Sequence, residues 1–152
     1  MVDHQQYAKL VQAVELVDIA LMELRHRRSE GRLRPSVVHT EVKIQRGQAT
    51  SSRVSANVEF DLRAVPQESD ESDQAGAQSP DLEIHMRWRL EYVLDEAKLP
   101  QPELPDELVN EFLQRNVPIN VWPYIREAVA SLTSRMGTDV TPLLLPTLKI
   151  VR

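Results

Sequence analysis

Three stretches of the chain alternate strictly between apolar and polar residues. Every second residue is apolar from Val54 to Ala64, the same holds from Leu82 to Tyr92, and residues 38–44 repeat the pattern over a shorter length. A period of two puts apolar side chains on one face of a strand and polar side chains on the other. Successive strands with short connections predict an antiparallel sheet with one covered face and one face in water.

The segment before these strands contains a predicted helix and a stretch that is harder to assign. Asp3 can cap a helix over residues 3–12, and Gln6 completes a capping box. Residues 14–27 fit neither the strand period nor the helix period cleanly. Their β-branched side chains favour a strand. These side chains are Val14, Val17 and Ile19.

Two connections of different kinds are predicted further along the chain. Residues 66–80 are polar and acidic, which indicates a flexible loop. Residues 96–105 are rich in proline, which favours an extended backbone, yet they also carry Leu99 and Leu104. We therefore expect residues 96–105 to form a crossover strap and not a flexible tether. The chain length predicts a single domain over residues 1–152.

Two helices are predicted after the strap. The first is short, begins near Pro105, and places Leu108 and Phe112 four residues apart on one side. The second is a long helix over residues 121–136, with Pro123 in its first turn. One flank of the long helix carries only small residues, which would let another helix approach closely.

Composition and residue spacing argue against several classes of protein. The net charge of −5 does not suit a nucleic-acid binder, and the chain has no cysteine. The isolated glycines form no phosphate-binding loop, and the histidines lack metal-ligand spacing. We therefore expect no enzyme, no cofactor and no metal site. No apolar run approaches the ~20 residues that span a bilayer, and the N-terminus is polar, so we expect no membrane insertion and a cytoplasmic location.

The segment from Asn120 to Pro146 resembles the SecB family of bacterial export chaperones. That family carries an Asn-aromatic-Pro-Tyr-x-Arg-Glu helix start, a Ser/Thr-x-Arg-x-Gly helix end, and then a segment of prolines and leucines. The order of the predicted elements also resembles the family over the rest of the chain. The matching residues are Asn120, Pro123, Tyr124, Arg126, Glu127, Ser134, Arg135, Gly137, Pro142, Leu143, Leu145 and Pro146.

The resemblance implies an α+β fold in which a four-stranded antiparallel sheet packs on a long helix. SecB-like subunits form dimers, and the dimers pair through their long helices into a homotetramer. They bind unfolded proteins without ATP and pass them to the SecA motor. In this chain the helix contacts between subunits would fall on the small-residue flank, which consists of Ala128, Ala130, Ser131 and Ser134.

The resemblance also implies contacts with SecA and with clients. Asp18 matches an acidic SecA-contact position of the family, and Glu23 lies one residue out of register with another. Apolar residues of the strap, the helices and the C-terminal segment are expected to line a groove for unfolded client proteins. These residues are Leu99, Leu104, Leu108, Phe112, Trp122, Tyr124, Leu143 and Leu144.

A second interpretation stays open beside the export role. With its extra N-terminal helix and its weak overall similarity to SecB, the chain resembles the divergent SecB-like proteins that accompany toxin–antitoxin systems. Those proteins stabilise an aggregation-prone antitoxin. The chain also stops where SecB chains usually continue with a further helix and an acidic tail, so a shallower client groove is expected. Both interpretations predict a chaperone, and they differ in its partner.

Overall fold

The computed structural model describes residues 1–34, 36–67 and 79–148. The predicted loop at residues 66–80 falls mostly on residues 68–78, which lie outside the described residues. The elements follow the chain in the order helix α1 (His4–Ala13), strand β1 (Val14–Arg28), strand β2 (Ser36–Ala49), strand β3 (Arg53–Pro66), strand β4 (Leu82–Leu94), a short 3₁₀ helix (Glu96–Lys98) and helix α2 (Asp106–Thr133).

The four strands form one antiparallel sheet in the order β1-β4-β3-β2. One face packs against α2, so the predicted α+β architecture is confirmed. β3 and β4 are central, and their alternating residues are buried on the helix side and partly exposed on the other side. The helix-side residues include Val58, Phe60, Leu62, Ile84, Met86 and Leu90, each at most 1% exposed.

β1 contains two register shifts, which explain its irregular sequence pattern. Val17 and Met22 are the extra residues, and each falls between two residues that keep their partners on β4. Each extra residue shifts the alternation by one position, so the residues that face the helix change from even-numbered to odd-numbered at the first bulge and back again at the second. Apolar residues with uneven spacing therefore share the helix side. They are Leu16, Ile19, Leu21 and Leu24, which pair with Tyr92, Leu90, Trp88 and Met86.

The start predicted for the long helix at residue 121 is wrong, because α2 already begins at Asp106 and includes the short helix predicted before it. Pro118 and Pro123 lie inside α2. An interior proline costs about 3 kcal/mol or more. That cost is offset by a buried stripe along the helix, at ~1.5–3 kcal/mol for each large apolar side chain. The stripe consists of Leu108, Val109, Phe112, Leu113, Val117, Val121, Ile125, Val129 and Thr133.

Two arginine–aspartate pairs fix the end of α2 and the start of β4. Arg28 donates to both carboxylate oxygens of Asp139, at 3.0 and 3.2 Å, and holds the pKa of Asp139 below its usual value. Arg34 binds the buried Asp81 in the same way and lowers its pKa. Gly137, just after the helix, has φ 108°, a conformation that favours glycine.

We expect Phe112→Ala to lower the free energy of unfolding by about 3–5 kcal/mol, because truncation of a buried aromatic ring leaves a cavity. Phe112 is 3% exposed, and its ring meets the Tyr92 ring edge-on at 5.1 Å. Urea unfolding followed by circular dichroism measures the change. Ile119→Ala on the same helix is the control, since Ile119 is 41% exposed. Equal, small losses for both variants would contradict the assignment of Phe112 to the core.

Candidate functional site

Among the described residues, no three histidine, aspartate or glutamate side chains are grouped so that they could hold a metal ion. No helix within the described ranges is long and apolar enough to cross a membrane. The most distinctive surface feature is instead a set of large apolar side chains that are exposed on the two edge strands and beside them.

One group of exposed apolar residues lies on the helix side of β1, and we call it the β1 flank. It comprises Leu21 and Leu24, each 41% exposed, and Tyr124 of α2, 49% exposed. Tyr124 meets the ring of Trp88 edge-on at 6.2 Å. The indole nitrogen of Trp88 is buried and has no hydrogen-bond acceptor among the described residues. The exposed apolar side chains make this flank suited to being covered by another polypeptide.

A second group lies on the opposite edge of the sheet, and we call it the β2 flank. It comprises Val38 and Val42, which are 39% and 38% exposed. In register they pair with the helix-side residues Ala64 and Phe60 of β3, so they belong to the face that α2 covers elsewhere. α2 contacts β2 near Arg46, which binds Asp106 at 2.8 Å, but the helix leaves the side chains of Val38 and Val42 exposed.

The segment after α2 is held along the helix by two side chains from the recognised motif. The indole N–H of Trp122 donates to the Pro146 carbonyl at 2.8 Å, and Arg126 Nε donates to the Leu145 carbonyl at 2.7 Å. Leu145 is thereby buried to 3% exposure. The sequence interpretation missed this role, although the motif itself pairs these two donors with the proline–leucine segment that follows.

The residues predicted to line a client groove do not come together as one surface. Trp122 packs on Phe60 of β3 and Tyr124 packs on Trp88 of β4, so the two rings face different strands. The remaining six residues differ in burial. Leu108 and Phe112 are buried and have almost no contact with solvent in the single chain. Leu99, Leu104 and Leu143 are partly buried against the core, and Leu144 is 71% exposed.

The small residues predicted as a subunit interface lie on the half of α2 nearest its C-terminus. Ala128, Ala130 and Ser131 are partly buried in the single chain, and Ser134 is exposed. The Ser134 hydroxyl donates to the Ser131 carbonyl at 2.6 Å, so it is satisfied within its own helix. Their role in assembly stays a prediction.

The acidic residues predicted to contact SecA are paired with arginines of the same chain. Asp18 lies 3.7 Å from Arg89. Glu23 lies 2.6 Å from Arg25 and 3.7 Å from Arg87. All five side chains lie on the sheet face that points away from α2.

Part of the same face alternates in charge across all four strands. In one row, read from β1 to β2, the residues in register are Glu23, Arg87, Glu59 and Lys43. Opposite charges on neighbouring strands attract each other. This row is therefore neutral, whereas Asp18 lies opposite Glu91 on β4 and is paired with Arg89 beside it.

We expect Trp122→Phe to loosen the C-terminal segment while an aromatic ring still packs on Phe60, since the indole donor to Pro146 is lost. Limited proteolysis should then cut residues 143–148 faster than in the unmodified chain, by roughly fivefold if the bond contributes ~1 kcal/mol. Tyr124→Phe on the same helix is the control and should leave the cutting rate unchanged. Unchanged cutting in Trp122→Phe would show that the segment is held by other contacts.

Comparison with known proteins identifies similar solved structures but no sequence match. No protein-family model and no curated protein sequence matches the chain. Among solved structures it is similar to the SecB-like chaperone Rv1957 of Mycobacterium tuberculosis, solved in complex with a ChAD peptide from the antitoxin HigA1 (Rv1956). The TM-score is 0.74 at 16% identity, and the match covers 98% of this chain and 100% of that one. A protein of unknown function from Streptococcus agalactiae matches with a TM-score of 0.43 at 11% identity, over 88% of this chain and 97% of that one. The chain therefore has the SecB-like fold that its sequence resemblance implied.

Proposed function

We propose that the chain is a chaperone that binds non-native polypeptides without ATP. One observation carries the proposal: a SecB-like fold, matched over nearly the whole of both chains, leaves apolar side chains exposed on both edges of its sheet. Patches of this kind on a folded protein mark surfaces for binding other proteins. The mechanism is passive, and it needs no catalytic group, no metal and no cofactor.

The affinity would come from many weak apolar contacts along one client chain. Each Å² of apolar surface removed from water contributes roughly 25 cal/mol, from which the cost of ordering the client is subtracted. Single flanks are too small for tight binding, but several flanks in one assembly act together through a high effective concentration. This is how a small subunit can hold a long unfolded segment.

We further propose that the β1 flank joins two subunits, within the homotetramer that the sequence resemblance implies. Leu21, Leu24 and Tyr124 are apolar and exposed. A second copy placed over the flank would remove these side chains from water. The small residues Ala128 and Ser131 on the same helix would allow a close approach.

The favoured client is an aggregation-prone antitoxin, and the cytoplasm is the proposed location. The SecB-like neighbour of known structure was solved with an antitoxin peptide bound. Asp18 and Glu23 are also paired with arginines of the same chain, which would compete with a basic surface of SecA for these carboxylates. Preprotein export through SecA is the second candidate, kept because Asp18 matches a family contact position. Binding to SecA at low salt, measured by sedimentation, would favour export.

We expect the purified chain to suppress the aggregation of a chemically unfolded protein at near-stoichiometric ratios, equally with and without ATP. The apolar flanks require no energy source for binding, so added nucleotide should change nothing. Light scattering during dilution from denaturant measures the effect. Serum albumin at the same concentration is the control for non-specific crowding. No suppression beyond that control, or a requirement for ATP, would contradict the proposed function.

A further inference from the structure

The two edges of the sheet differ in regularity. β2 pairs with β3 without a register shift from Ser36 to Arg46, whereas β1 is interrupted at Val17 and Met22. Bulges twist an edge strand and interrupt its ladder of hydrogen-bonding groups, which protects it from pairing with another chain. The β1 edge therefore has this protection, and the regular part of β2 does not.

The unpaired backbone groups of β2 can be identified from the ladder. The Arg53 carbonyl accepts from Thr50 on the β2 side, while the Ala64 carbonyl accepts from Asp81 on the β4 side. In a regular antiparallel strand, successive residues turn their N–H and C=O to opposite sides. The backbone N–H and C=O groups of odd-numbered residues of β3 thus point to β2. The residues that pair with them on β2 are also odd-numbered. No strand among the described residues pairs with the other edge of β2, and this free edge is lined by the backbone groups of the even-numbered residues, among them Val38, Thr40 and Val42.

The side chains of this edge also suit an added strand. Val38, Thr40 and Val42 lie on the helix side, are all exposed, and carry no charge. On the other face Glu41 and Lys43 lie 3.7 Å apart and neutralise each other. Residues 36–45 of β2 contain no proline, no bulge and no charged residue on the helix side; the first charge on that side is Arg46, which binds Asp106 of α2 at 2.8 Å. Over residues 36–45 the edge therefore lacks these devices, by which edge strands usually repel another strand.

We infer that the edge of β2 binds an extended segment of a non-native polypeptide as an additional strand of the sheet. Backbone hydrogen bonds from Val38, Thr40 and Val42 give affinity without a sequence requirement, and the apolar side chains of the β2 flank select a client that alternates apolar and polar residues. The inference rests on the proposed function and specifies how clients are held. A second copy is the weaker occupant, because strand pairing alone buries far less than the ~1,200 Å² of a stable interface.

The test combines one backbone change with a matched side-chain change. Val42→Pro removes an N–H that points to the free edge and is not used by the sheet, a position where edge strands tolerate proline. Val42→Ala trims the side chain but keeps the N–H. The probe is a short peptide in which valine alternates with serine, with its affinity measured by fluorescence anisotropy. We expect Val42→Pro to bind roughly tenfold more weakly than Val42→Ala, as loss of one or two backbone bonds implies, with both variants folded by circular dichroism.

A second measurement uses only the unmodified chain, so it does not depend on the folding of Val42→Pro. One peptide is N-methylated at every valine and another at every serine. An antiparallel added strand loses its bonds in the first peptide, and a parallel one in the second. We expect one of the two to bind at least roughly tenfold more weakly than the other.

Three outcomes would overturn the inference. Equal binding of both N-methylated peptides, or equal binding to Val42→Pro and Val42→Ala, would show that the backbone of β2 is not used, while suppression of aggregation would leave the proposed function standing. A smaller assembly for Val42→Pro than for Val42→Ala in light scattering would show that a second copy occupies the edge. A chain that neither suppresses aggregation nor binds the peptides would overturn the proposed function itself.

Discussion

The packing of α2 on the two central strands is the contact on which the other features of the structure depend. A helix is about 10 Å wide with its side chains, and strands lie ~4.8 Å apart, so one helix covers about two strands. The helix-side residues of β3 and β4 are buried. α2 also contacts the edge strand β2, where Arg46 binds Asp106 at the start of the helix. A single helix is nevertheless too narrow to cover the whole apolar face of a four-stranded sheet, and apolar residues of both outer strands remain exposed.

Position along α2 then determines what each side chain of the recognised motif does. Val121, Ile125 and Val129 point to the sheet and are buried. Trp122 and Arg126 lie on another side and hold the carbonyls of the C-terminal segment, while Tyr124 reaches Trp88 and borders the β1 flank. The residues of this one sequence motif therefore have three structural roles: they fill the core, hold the C-terminal segment and border the β1 flank.

Much of the fold could be predicted from the sequence, and the failures have physical causes. The alternation in β3 and β4 predicted their buried faces because both strands are regular. The pattern of β1 was ambiguous because the bulges at Val17 and Met22 shift it. α2 was divided in prediction because local rules penalise Pro118 and Pro123, whereas burial of the whole stripe overrides them.

The candidate site was harder to predict than the fold. Apolar residues at helical spacing are consistent with either a core or a groove, and Leu108 and Phe112 proved to be core. The exposed apolar flanks depend on the strand order β1-β4-β3-β2, which places β1 and β2 at the edges, and spacing along the chain does not report that order. The pairing of Asp18 and Glu23 with arginines likewise requires the register between β1 and β4.

The central claim is that the chain recognises non-native polypeptides through apolar surface, not through charge. Isothermal titration calorimetry with a permanently unfolded polypeptide, at several temperatures and two salt concentrations, tests it most directly. Burial of apolar surface on binding gives a negative heat-capacity change, whereas binding through exposed charges weakens as salt screens them. The account predicts saturable binding with a clearly negative heat-capacity change and little dependence on salt. Binding that disappears at high salt with a heat-capacity change near zero, or no binding at all, would contradict it.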